Sequence, residues 1–404
     1  MKSLKNIWQL SLLSFIIAAI TGFLYRYGMI YPIPDWLNFV NIRHAHSHLM
    51  FFNWVCPPIM IWMVSTVLTS DQTKEINSFK RCLFVMLFLG FLSYPLFLLY
   101  GYSSVAIGAA SLPLAAINSG LVMITWYWFA WLYYRCRKSI GPTISTIFFD
   151  GALAALMVSS LGAWGVSVLQ FTTIDSPVIS SALTHFFLAV FTEGWAVLGI
   201  LGVLWSFVDI KKIPFNTNWL WQPVLFGSML IFPFSLSESI ITPAMFFTAK
   251  FGTILIDGSL ALNLYLLFKS GRFKGFIWKT ILVLIAIKVA FQFATMLPTG
   301  IWPGELGLRV LYLHVLMLGI VSILFIQVFS YRNSIPKKLF AGSVFLILLS
   351  LSMISGYWLS FLMLPDLYFW VMIVALLPVI PAMWLWCNDF SRSENQSIFL
   401  TKIL

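Results

Sequence analysis

All five histidines of this 404-residue chain fall in three apolar stretches: His44, His46 and His48 in one, His185 in a second, His314 in a third. Imidazole is a borderline donor that suits iron, copper and zinc, and it also relays protons near neutral pH. On a helix His44 and His48, four residues apart, share a face with about 40° between them, whereas His46 is turned about 160° from His48. One helix can therefore offer two imidazoles together, and two further helices one each. His44, His48, His185 and His314 are the candidate metal ligands. His46 reads as a hydrogen-bonded packing residue.

The elements that must position these side chains follow from composition. Hydrophobic residues make up 60% of the chain and charged residues only 9%, where a soluble domain carries roughly a quarter charged. Those figures exclude disorder, collagen, coiled coil and a disulfide-rich secreted scaffold. They predict an all-α polytopic membrane bundle, one transmembrane domain over residues 1–404. Twelve runs are long enough to cross a bilayer, near 9–30, 42–69, 82–100, 105–134, 146–169, 177–208, 218–238, 247–268, 277–297, 307–330, 338–361 and 366–388. Pro223, Pro233 and Pro243 interrupt the pattern around the seventh.

Charge tests that count. With twelve spans, 19 of the 24 Lys and Arg residues fall on the side of the amino terminus, including Lys74, Arg135, Lys211, Lys212, Arg332, Arg392 and Lys402. Only Arg26, Arg43, Lys250 and Arg309 fall on the other, and Lys288 lies within a span. By the positive-inside rule both termini are expected in the cytoplasm, with the lipid bilayer of the inner membrane as the surroundings. The net charge of +11 reports this topology; the basic residues form no folded face that would bind nucleic acid. Tyr25, Arg26 and Tyr27 follow the first run as an interfacial anchor, so that run reads as a retained span; cleaved as a leader, it would leave eleven. Cys56, Cys82, Cys136 and Cys387 show no pairing pattern, and no disulfide is expected.

The three histidine-bearing runs are the second, sixth and tenth, a period of four. Each runs from the outside inward, with outer ends near Asn41, Pro177 and Gly307. His48, His185 and His314 then lie seven, eight and seven residues in, about 10–12 Å below the outer surface. Three polar groups at one depth in hydrocarbon are costly unless they have a purpose. The site expected is a metal or haem centre, with His48 and His314 as its leading ligands and His44 and His185 as further candidates.

A twelve-span chain with histidines near the outer ends of spans two and ten resembles subunit I of haem–copper oxidases, in which a low-spin haem is held between those two spans. The run Arg43-His44-Ala45-His46-Ser47-His48-Leu49-Met50-Phe51-Phe52 is similar to the second-span motif of NnrS-type haem- and copper-containing membrane proteins. It also resembles bacterial proteins described as oxidase subunit I-like. The resemblance implies a b-type haem ligated by His314 and one of His44 or His48, copper as a second metal with His185 as its ligand, and an electron donor or respiratory-type subunits as partners. It implies electron transfer, or binding of a diatomic gas such as nitric oxide or oxygen.

The chain departs from that family at two places. The oxidase copper site takes a histidine pair from span seven, and residues 218–238 contain none. The His-x-His of span ten is here Tyr312-Leu313-His314, so Tyr312 stands where the high-spin haem ligand would be. A complete oxygen-reducing binuclear centre, and hence a terminal oxidase, is not expected. If the chain is an enzyme, it is a membrane oxidoreductase. There is no CxxCH motif, so any haem is non-covalent, and no Gly-rich nucleotide loop or serine-hydrolase elbow.

Charged groups within the predicted spans need partners. Asp257 and Lys288, at similar depth on successive helices, are expected to form a buried ion pair. Glu193 lies about 12 Å cytoplasmic of His185; with Tyr312 it offers a proton path to the histidine layer, or else it bonds Thr192 or nearby backbone. Glu238 is expected at the outer interface. Two other readings compete with the haem protein: a proton-coupled secondary transporter, and a haem or copper handling factor that serves another complex.

Overall fold

The computed structural model describes residues 2–68, 72–172, 176–208, 216–237, 239–297, 306–330, 334–355, 358 and 365–391. Glu238, the loop cations Lys211, Lys212, Arg332, Arg392 and Lys402, and the predicted span ends at 69 and 361 lie outside them.

The helices, in chain order, are α1 (Lys2–Tyr27), α2 (Phe39–Val67), α3 (Thr73–Tyr100), α4 (Leu114–Arg137), α5 (Ile144–Leu169) and α6 (Pro177–Trp205). They continue with α7 (Asn218–Leu230), α8 (Pro243–Lys269), α9 (Phe276–Ala294), α10 (Gly307–Phe329), α11 (Ser334–Ile354) and α12 (Leu367–Asn388). Ten of these are long and apolar enough to cross a membrane, which makes the chain a multi-pass helical membrane protein. The two others are α4 and α7. Residues 105–112 do not begin span four: they form an antiparallel hairpin, β1 (Val105–Ile107) with β2 (Ala110–Leu112), turning at Gly108 with φ +62°. The helix that follows is 24 residues long but diluted by Trp126, Tyr127, Trp128, Trp131, Tyr133 and Tyr134. The 13 residues of α7 rise only about 20 Å, short of a hydrocarbon core of about 30 Å; Pro233 then sits in a 3-10 turn, Phe232–Ser235.

Local chemistry starts the helices that matter. Asn38 caps α2 through its side-chain oxygen, which accepts from the Val40 and Asn41 amides. Ser176 and Thr242 cap α6 and α8, each followed by a proline at the first helical position, where no donor is lost. Pro243 is therefore a helix start, not a break.

Three π-helical segments occur among the described residues: Met50–Val55 in α2, Val190–Ala196 in α6 and Val315–Ser322 in α10. All lie on the histidine-bearing helices, just inward of His48, His185 and His314. In α2 the wide turn precedes Pro57 and Pro58, whose rings clash with the carbonyls four residues back and cannot donate to them. The same three helices are the most interior: 89, 89 and 72% of their apolar stretches is buried, against 28–50% for the other seven spans. Such segments are rare and concentrate at functional sites.

The chain packs as two compact units, Met1–Ile140 with Phe325–Leu404, and Gly141–Leu324. In the first, an aromatic cluster ties α1, α2, α10 and α11: Trp8 stacks on Phe329 (centroids 4.9 Å apart) and Phe15 packs on Trp54 (4.8 Å) and Phe340 (5.4 Å). Buried amides staple the second: Trp205 Nε1 donates to Asn263 Oδ1 (2.7 Å), and Asn263 Nδ2 donates to the Leu220 carbonyl (2.8 Å), which joins α6, α8 and α7.

Candidate functional site

In the first unit α2 presents His44 and His48 on one face and His46 on another. His46 Nδ1 donates to the Ala18 carbonyl of α1 (2.7 Å), and its ring lies over Gly22, where a Cβ would meet Cε1 at 3.2 Å. It is a packing residue that satisfies its own polar atom. The rings of His44 and His48 are 6.3 Å apart and enclose Tyr102, which follows directly on the end of α3 at Gly101. Tyr102 packs edge-on to His44 (4.9 Å), and its hydroxyl lies 3.3 Å from His48 Nε2. Phe97 stacks on the His48 ring at 3.7 Å.

His48 Nδ1 lies 2.9 Å from the His44 carbonyl, four residues earlier. A carbonyl only accepts, so Nδ1 carries the proton and Nε2 the lone pair. The Tyr102 hydroxyl then donates to Nε2. Burial pushes the Tyr102 phenol up to about 12, so it remains a hydroxyl donor at physiological pH.

In the second unit His314 repeats the device: Nδ1 lies 2.7 Å from the Val310 carbonyl, again four residues earlier, which leaves Nε2 as the basic nitrogen. Histidines that ligate metals ordinarily donate their other N–H to a carbonyl or carboxylate, which fixes tautomer and ring orientation. His48 and His314 meet that requirement on their own helices. His185 is half-buried, and Arg309 is the charged group within electrostatic reach of it; Arg309 donates to the Ser235 carbonyl (3.1 Å). Among the described residues no three His, Cys, Asp or Glu side chains converge as a metal ion held by them would need. Haem iron needs fewer protein donors, one or two oriented imidazoles.

The buried charges pair differently from the expectation. Lys288 forms its ion pair with Glu193, Nζ to Oε2 2.6 Å, both side chains almost fully buried; Asp257 is not its partner. Tyr312 donates to Glu193 Oε1 (2.5 Å) and lies 3.1 Å from Gln292 Oε1, which also accepts from Lys288. The Lys288 ammonium lies 5.4 Å from the Tyr312 ring centroid. Glu193 is thus bonded to side chains of α9 and α10, not to Thr192 or nearby backbone. Tyr312 is committed to a carboxylate, not offered to a metal.

One residue and one pairing are not foreshadowed by the sequence. Tyr102 sits in a connection, and its only signal was a phenol at the outer end of the span paired with the histidine helix. The Lys288–Glu193 bond depends on which helix faces which, and depth along a span does not give that. Comparison with protein-family models and with curated proteins yields no match for the chain.

Proposed function

We propose that this is an integral membrane haem-binding protein: in the first unit His48, with His44 as its alternative, offers Nε2 as a haem-iron ligand, and in the second unit His314 offers its own. Its business is electron transfer or the binding of a diatomic gas. The observation that carries the reading is the shared orientation of the two imidazoles: each Nδ1 bonds the carbonyl four residues earlier, at 2.9 and 2.7 Å, and each ring stands one or two residues before a π-helical turn. A haem supplies a one-electron couple and an iron able to bind small gases. The chain supplies neutral imidazoles of fixed tautomer, burial, and an aromatic wall at Phe97. Tyr102 must turn its hydroxyl away from His48 when Nε2 takes a metal. Oxygen reduction at a paired haem–copper centre is not part of the proposal, since α7 carries no histidine and Tyr312 is held by Glu193.

The test is the absorption spectrum and metal content of the purified protein. A Soret band that is lost in His48→Ala and in His314→Ala supports the reading. No Soret band, in the protein as purified or after reconstitution with haem, removes it.

A further inference from the structure

Two carboxyls and one ammonium lie in the interior of the second unit. Asp257 on α8 is 6% exposed, and neither of its carboxyl oxygens has a hydrogen-bond partner among the described residues. The charges that act on it are those of Lys288 and Glu193. The elements packed most closely against α8 are α7, α9 and the turn Phe232–Ser235, and α6 reaches it through the Trp205–Asn263 bond. Of these, α7 and the turn carry no titratable side chain, α9 carries Lys288 and, exposed near its start, Lys279, and α6 carries His185 and Glu193. Tyr312 reaches the cluster from α10, with its proton engaged by Glu193.

Ionised together, Asp257, Glu193 and Lys288 carry one net negative charge in a buried site, and one proton brings the trio to zero. Glu193 receives a hydrogen bond from Tyr312 and pairs with Lys288. Lys288 pairs with Glu193 and donates to Gln292 Oε1. Asp257 alone gains nothing from being charged where it lies. We infer that Asp257 is a proton-binding group, kept as the neutral acid, and that Asp257, Glu193 and Lys288 together form a one-proton store inside the second unit. The ammonium already present disfavours a metal cation in the same place. The hydroxyls of Thr253, one turn from Asp257 on α8, and of Thr295 lie 3.4 Å apart and are neutral. The assignment stands on the second unit's own side chains and is independent of haem.

The experiment is infrared spectroscopy of the full-length protein in lipid at neutral pH, read in the carbonyl-stretch region of protonated carboxylic acids, in H2O and in D2O. In Asp257→Asn one protonated-acid band should disappear, with an unchanged thermal midpoint, because the amide matches the neutral acid in shape. In Asp257→Glu the band should persist at a displaced frequency. In Glu193→Gln it should vanish, since Asp257 then inherits Lys288 and ionises; in Lys288→Met a second band should appear. An acid band unaltered by Asp257→Asn, or one that survives Glu193→Gln, overturns the assignment. So does a marked fall in the midpoint of Asp257→Asn, which would mark Asp257 as a paired carboxylate.

Discussion

The Tyr102 hydroxyl lies 3.3 Å from Nε2 of His48, on the one nitrogen of that ring that can take a metal. Bond and metal are mutually exclusive. Tyr102→Phe removes the competitor and keeps the ring that packs on His44. A neutral hydrogen bond contributes about 0.5–1.5 kcal/mol net, so apo protein carrying Tyr102→Phe should bind haem roughly 2- to 10-fold more tightly, as read by Soret titration. Unchanged or weaker affinity would show that His48 does not bind through Nε2.

His46 separates structure from ligation on the same helix. Its Nδ1 bonds the Ala18 carbonyl of α1 at 2.7 Å. His46→Ala removes that bond, a loss of about 0.5–1.5 kcal/mol, and opens space over Gly22. A lower thermal midpoint in detergent is expected, with the haem spectrum of the reconstituted protein unaltered. A spectral change as large as that of His48→Ala would place His46 among the ligands.

How far the sequence reached is seen in two pairs of residues. Helical geometry alone places His44 and His48 on one face and His46 on another, because angles within one helix are fixed by the backbone, and their packing partners follow that division. Lys288 and Asp257 share a depth on successive helices, yet Lys288 bonds Glu193 from α6. Depth is legible in a run of apolar residues; the azimuth of one helix against another is settled by packing across the chain. The π-helical turns were equally hidden. Pro57 and Pro58 signal a disturbance in α2, but α6 and α10 widen with no proline inside the segment.

The Glu193–Lys288 pair makes a sharper stability test than either residue alone. Removal of one member of a buried pair strands the other, a loss of about 3–5 kcal/mol, whereas removal of both with apolar or neutral replacements is often near neutral. Lys288→Met should lower the thermal midpoint substantially, Glu193→Gln less because Asp257 then takes up Lys288, and Glu193→Gln/Lys288→Met should recover most of the loss. Additive losses in the double variant would mean that the two groups do not stabilise one another and that the 2.6 Å contact is energetically idle.

The π-helical turn of α2 depends on a glycine in its neighbour. Asn53, in the middle of that turn, is fully buried and donates to the Leu87 carbonyl of α3 at 3.1 Å. It fits because Gly90 has no side chain: a Cβ there would come within 1.8 Å of Asn53 Oδ1. The amide cannot retreat without giving up its bond to Leu87, so Gly90→Ala must push α3 away from α2 or break that bond. Overpacking of this kind costs about 1–3 kcal/mol. Gly90→Ala should lower the thermal midpoint and, by shifting the α2 turn two residues inward of His48, weaken haem binding in the same preparation. Gly90→Ala combined with Asn53→Ala should restore the space and recover part of the stability; if it restores the haem affinity as well, the turn matters as a spacer, and if not, the Asn53 amide itself holds the helix in register for His48.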